Sequence, residues 1–72
     1  MTQLGNNVKQ AREAAGMSRH RLHVMAEIDS KIISAVEDGD RHPSYYSLCQ
    51  MCKALKCTPN DIIPEKDYTE YD

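Results

Sequence analysis

Residues 17–43 read MSRHRLHVMAEIDSKIISAVEDGDRHP, and two short helical patterns meet inside that stretch across a joint too tight to be a linker. Leu22, Met25 and Ala26 recur at helical spacing after Ser18, and Ile32, Ile33 and Val36 do so after Asp29, with Ile28 plugging the joint. Ser18 and Asp29 are N-cap residues placed just before each apolar stripe, and Gly39 follows Asp38 where a helix needs a left-handed residue to stop. The second helix spans about nine residues, too few to persist alone in water, so packing must hold it. Its outer face, Ser30, Lys31, Ser34, Ala35 and Asp38, is then left over.

Working outward, Leu4, Val8, Ala11 and Ala15 mark one face of a first helix that Gly16 ends. Downstream, Ser44 caps a fourth helix in which Tyr45, Leu48, Met51, Cys52 and Leu55 recur at three- and four-residue intervals. Thr58 caps a short fifth helix with Pro59 at its first position and Asp61 in its first turn, where the helix dipole favours a negative charge. Ile62 and Ile63 are expected to face the core. From Pro64 the sequence PEKDYTEYD has no apolar period and reads as a loose tail. The expectation is one all-α, five-helix domain over residues 1–64 with an acidic tail over 65–72.

Seventy-two residues make one small domain able to bury ~60% of its unfolded surface, so its core is modest. No apolar stretch approaches the roughly 20 residues that cross a bilayer. The start MTQLGNN lacks the basic-then-apolar order of a signal peptide, which points to the cytoplasm and to no membrane.

Cys49, Cys52 and Cys57 are odd in number and grouped in the second half rather than spread as a disulfide framework. Their spacing raises zinc, with His42 as a fourth ligand, but a closed site brings two ligand hooks and here there is one. Cys52 and Cys57 read instead as small buried hydrophobes. His20 and His23 share a helix face without an acidic or thiol partner, so no metal is expected. A chain this small leaves no deep pocket, and no nucleophile–histidine–acid order stands out. No enzyme activity, cofactor or small-molecule substrate is expected.

The net charge of −2 has the wrong sign for approaching phosphates, but it is unevenly spread. Residues 65–72 set four acids against Lys66, a net of −3, and leave the rest at +1. Arg19, His20, Arg21 and His23 crowd the helix before the second of the pair, Lys31 lies on it, and Arg41 and His42 follow it. A cationic rim around one helix is the electrostatic footprint of DNA binding, here interrupted by Glu27, Asp29, Asp38 and Asp40.

Taken together, these residues resemble the Cro and phage-repressor (XRE-like) helix-turn-helix family. The resemblance rests on Leu4-Gly5, Arg12, Ile33-Ser34-Ala35-Val36-Glu37-Asp38-Gly39, Arg41-His42-Pro43, Ala54-Leu55 and the run from Thr58 to Ile62. No one of these motifs is specific; their joint order over residues 4–63 is. The resemblance implies the compact lambda-repressor-like fold, with helices two and three forming the DNA-reading unit. It implies an ion pair between Arg12 and Glu37, partly buried between helices one and three, where a lone charge would be costly.

By the same resemblance the residue opening helix two clasps a phosphate, which assigns that role to Arg19, with His20, Arg41, His42 and Tyr45 as further backbone contacts. Ser30, Lys31, Ser34 and Ala35 would face base edges. Lysine suits the O6 and N7 acceptors of guanine, and Ala35 suits a thymine methyl. Two positions depart from the family pattern: His23 stands where a small residue is usual, and Glu27 where the turn usually has glycine. Lys56 is a third, at a helix end.

The expected function is a sequence-specific transcriptional regulator, a repressor in kind, that inserts helix three (about 30–38) into the major groove of double-stranded DNA. A homodimer on a two-fold operator is expected, with contacts through helix five and the end of helix four and with Ile63 or Tyr46 as apolar anchors. The rival is a protein-binding adaptor or antirepressor that keeps the fold without DNA, favoured by the thin cationic rim and the acidic tail.

Overall fold

The computed structural model describes residues 2–65, so the tail expected over 65–72 lies outside the described residues except for Glu65. Five helices follow in order: α1 (Gln3–Ala14), α2 (Arg19–Ala26), α3 (Ser30–Asp38), α4 (Tyr45–Leu55) and α5 (Pro59–Ile62). Among the described residues there is no strand, and no helix is long and apolar enough to cross a membrane.

Each helix begins where a side chain can satisfy its orphaned amides. Ser18 accepts from Arg21 N–H, Asp29 from Lys31 N–H, and Ser44 from Ser47 N–H. Thr2 does the same for α1 through Gly5 N–H at 2.9 Å. At α5 the acceptor is instead Asp61, whose carboxylate takes both the amide and the hydroxyl of Thr58. Gly16 and Gly39 adopt the left-handed conformation that ends α1 and α3, at φ 71° and 83°.

The core gathers Leu4 and Val8 from α1, Leu22 and Ala26 from α2, Ile33 and Val36 from α3, and Leu48, Met51 and Cys52 from α4. Ile28 seals the α2–α3 joint, and Ile62 and Ile63 close the far side. α1 packs on α3 and α5, while α2 packs on α3 and α4. Asn7 ties α1 to the end of α5 by donating to the Ile62 carbonyl at 2.8 Å.

One contact positions α3 more closely than apolar packing does. Gly5 is buried with its α-carbon against the last turn of α3, so that a Cβ there would collide with the Val36 carbonyl oxygen and lie 2.9 Å from that of Glu37. Only glycine lets the two helices approach this far.

Four apolar positions differ from the sequence expectation. Met25 is 49% exposed rather than part of the α2 stripe, because an eight-residue helix packed on two neighbours has Leu22 and Ala26 to turn inward. Ala15 is exposed at the C-cap of α1, beyond its last packed turn. Tyr45 opens α4 and stands 53% exposed ahead of the packed segment that starts at Leu48. Ile63 faces the core as expected, at 7% exposure, and is thereby spent for the dimer contact also expected of it; Tyr46 is exposed, but in the first turn of α4 rather than near its end.

Candidate nucleic-acid interface

α3 is divided lengthwise. Ile33, Val36 and Glu37 are buried, whereas Lys31 and Asp38 are exposed and Ser30, Ser34 and Ala35 are half-buried. Asp29 starts the helix through the Lys31 amide at 2.8 Å. At the other end the Ala35 carbonyl accepts from Asp40 N–H at 2.9 Å and Arg41 N–H at 3.3 Å, which folds the following loop back over the helix end. Lys31 therefore lies near one end of α3 and Arg41 and His42 beyond the other, with about 10 Å of helix from Lys31 to Asp38.

The inner edge of α3 ends in a network of four charges. Arg12 grips Glu37 with two bonds, Nε to Oε2 at 2.7 Å and Nη2 to Oε1 at 3.0 Å, and its Nη1 donates to the Met17 carbonyl at 2.7 Å. Arg19 donates through Nε to the same Glu37 Oε1 at 3.0 Å and through Nη2 to Asp38 Oδ1 at 3.1 Å. Glu37 is 0% exposed, so its desolvation is offset by three charge-assisted bonds. No buried side-chain nitrogen or oxygen among the described residues lacks a partner. The bonds to Glu37 raise the affinity of both arginines for their protons, against the opposing effect of burial.

Arg19, assigned a phosphate by resemblance, is therefore held by two carboxylates, although its side chain remains 38% exposed. Asp38 is the partner that sequence reasoning missed. The signal was its place directly after Glu37 at the end of α3, which puts two acids opposite the residue that opens α2. The four charges cancel as a set.

The joint between α2 and α3 accommodates Glu27 in the left-handed region, at φ 57° and ψ 43°. His23 explains how. Its carbonyl accepts from the amides of Glu27 and Ile28, and its ring Nδ1 is hydrogen-bonded to the Ile28 carbonyl. A carbonyl oxygen only accepts, so Nδ1 carries the proton. The two departures from the family pattern thus belong to one device: the larger side chain at 23 staples the turn that lacks glycine at 27. His20 is exposed, its ring 5.7 Å from that of His23.

Arg41, His42 and Tyr45 are exposed along the loop after α3 and the first turn of α4. The neighbouring Cys49 thiol pushes the Tyr45 hydroxyl above the ordinary tyrosine range. The arrangement offers an outward helix with small side chains and one lysine, flanked by cations, and no group of three metal-ligating side chains among the described residues.

A sequence profile described as helix-turn-helix matches residues 8–62. The chain belongs to the helix-turn-helix family. It is, in kind, a DNA-binding transcriptional regulator. The helix-turn-helix domain is similar in fold to the crystal structure of the restriction-modification controller protein C.AhdI from Aeromonas hydrophila, with a TM-score of 0.81 over 85% of this chain and 92% of that one, at 24% identity. Comparison with curated proteins finds no match.

Proposed function

We propose that the protein is a sequence-specific repressor that places α3 in the major groove of duplex DNA, with Ser30, Lys31, Ser34 and Ala35 toward the base edges. The observation that carries this reading is the lengthwise division of α3: the buried edge is fixed by Ile33, Val36 and the Glu37 network, and the outward edge carries short side chains and one cation. Short side chains let a helix sit deep in a groove, and Lys31 can reach guanine acceptors. His20, Arg41, His42 and Tyr45 flank that edge as phosphate contacts, which set register without carrying sequence information. Arg19 joins them through the part of its guanidinium left by Glu37 and Asp38.

One domain with a single reading helix has a small DNA footprint, and a homodimer on a two-fold operator, with reading helices ~34 Å apart, supplies the rest. The test is selection of duplexes from a random library, followed by binding titrations of wild type, Lys31→Ala and Arg41→Ala at several salt concentrations. Lys31→Ala is expected to relax preference at one position of each half-site, and Arg41→Ala to weaken binding about evenly across sequences. Unchanged preference in Lys31→Ala would remove Lys31 from the reading role. A selection that enriches nothing would favour the adaptor or antirepressor reading, which draws support from the Arg19–Asp38 pair and from the exposure of Val24 and Met25 on α2.

A further inference from the structure

The corner between α4 and α5 carries a cysteine at each end of one backbone hydrogen bond. Cys57 N–H donates to the Cys52 carbonyl at 3.0 Å, and Lys56 between them is left-handed at φ 58°. This is the helix ending in which the side chains of the two bonded residues meet. The path from Cα to Cα across such a bond spans at most about 7 Å, and its bends shorten it into the roughly 4.4–6.8 Å that a disulfide requires. The two side chains lie close enough for Cys57 to strengthen the hold of Cys52 on its proton, after the larger effect of burial.

The pair is asymmetric. Cys52 is 2% exposed within the core, whereas Cys57 is only partly buried and can be reached from solvent. Cys49 stands one turn before Cys52 on the same helix, where Cβ atoms are about 5–6 Å apart, too far for the roughly 3.5–4.5 Å of a disulfide. Geometry therefore separates Cys52 and Cys57 from the third thiol.

We propose that Cys52 and Cys57 form a dithiol that a hydroperoxide converts to an intramolecular disulfide. The Cys57 sulfur, as thiolate, attacks one peroxide oxygen; the O–O bond breaks, and the departing hydroxide takes up a proton as water. The resulting Cys57 sulfenic acid is attacked by the Cys52 sulfur, the S–O bond breaks, and the released hydroxide leaves as water with the Cys52 proton. Two thiols and one hydrogen peroxide give one disulfide and two waters. Burial pushes the Cys52 thiol up to about 12, so it keeps its proton until the second step and leaves the first to Cys57.

The full reduced chain treated with hydrogen peroxide at neutral pH, then with catalase and an alkylating reagent, tests this directly. The expected product has lost about 2 Da, retains one alkylatable thiol, and regains three on reduction with dithiothreitol. Trypsin cleaves after Lys53 and Lys56, so a Cys52–Cys57 bond joins two peptides while a Cys49–Cys52 bond joins none. Cys49→Ser is expected to keep the joined pair. Cys57→Ser, a change at a partly exposed position, is expected to abolish it with an unchanged far-ultraviolet spectrum. Any other product overturns the proposal: three alkylated thiols after peroxide, a linkage through Cys49, a link surviving in Cys57→Ser, a chain-to-chain dimer, or Cys57 carried on to sulfinic acid.

Discussion

Glu37 is a fully buried carboxylate with two arginines on it. Removing an acid from such a site leaves two cations partly desolvated, so Glu37→Ala should cost about 3–5 kcal/mol in chemical denaturation, whereas a loss under ~1 kcal/mol would mean that water already solvates the pair. The raised affinity of Arg12 and Arg19 for their protons is lost only in strong alkali, so these two arginines add no pH dependence near neutrality. Cys52 behaves differently. Its proton is held more tightly in the folded core than in the unfolded chain, so the folded state is favoured below about 9 and loses that advantage as pH rises toward about 12. Thermal midpoints of the wild type should fall over that window, and those of Cys52→Ala should fall less. The Arg12–Glu37 pairing was legible through family resemblance, but the Arg19–Asp38 bond was not, because which acid a surface arginine meets depends on how α2 and α3 cross. Ile63 was expected both in the core and as a dimer anchor, and its burial keeps only the first. Sequence period marks a residue as apolar, and only the packing of α1 and α4 decides whether the core has room for it.

Among the elements, the α2–α3 joint best shows what sequence reading reaches and where it stops. Ser18, Asp29 and Gly39 located both helices because caps act on neighbouring amides and leave local signatures. The solution at Glu27 was hidden because it depends on the His23 ring reaching across five residues to Ile28. Glu27→Gly should stabilise the domain by about 0.5–1 kcal/mol, since a left-handed residue with a side chain is strained there. His23→Ala should destabilise by about 1 kcal/mol through loss of the ring bond. If the two residues form one device, the double variant will depart from the sum of the single ones, whereas additivity would separate them. Gly5→Ala is the corresponding test of the α1–α3 contact. The collision lies with backbone oxygens rather than a movable side chain, so about 1–3 kcal/mol should be lost.

For the whole molecule, charge available to DNA is smaller than the residue count suggests. Arg12 is buried on Glu37, and most of Arg19 is taken by Glu37 and Asp38. Among the proposed phosphate contacts that leaves Arg41 as the exposed arginine, so the logarithm of DNA affinity should fall against that of salt with a slope near −1 per protomer, at about −0.9 per phosphate. A slope well beyond that would mean that phosphates draw Arg19 off its carboxylates. The helical architecture, α3 included, was legible from caps and periodicity, while the pairing of Arg19 with two carboxylates was not. The lengthwise division of α3 bears on how such a molecule changes its target. The groups that fix the helix in the fold lie on one edge, and the candidate base-reading groups lie on the other. Exchanging Ser30, Lys31, Ser34 and Ala35 as a block should therefore redirect binding to a different operator while stability stays within about 0.5 kcal/mol, so that recognition can be rewritten like a cassette in a scaffold left untouched.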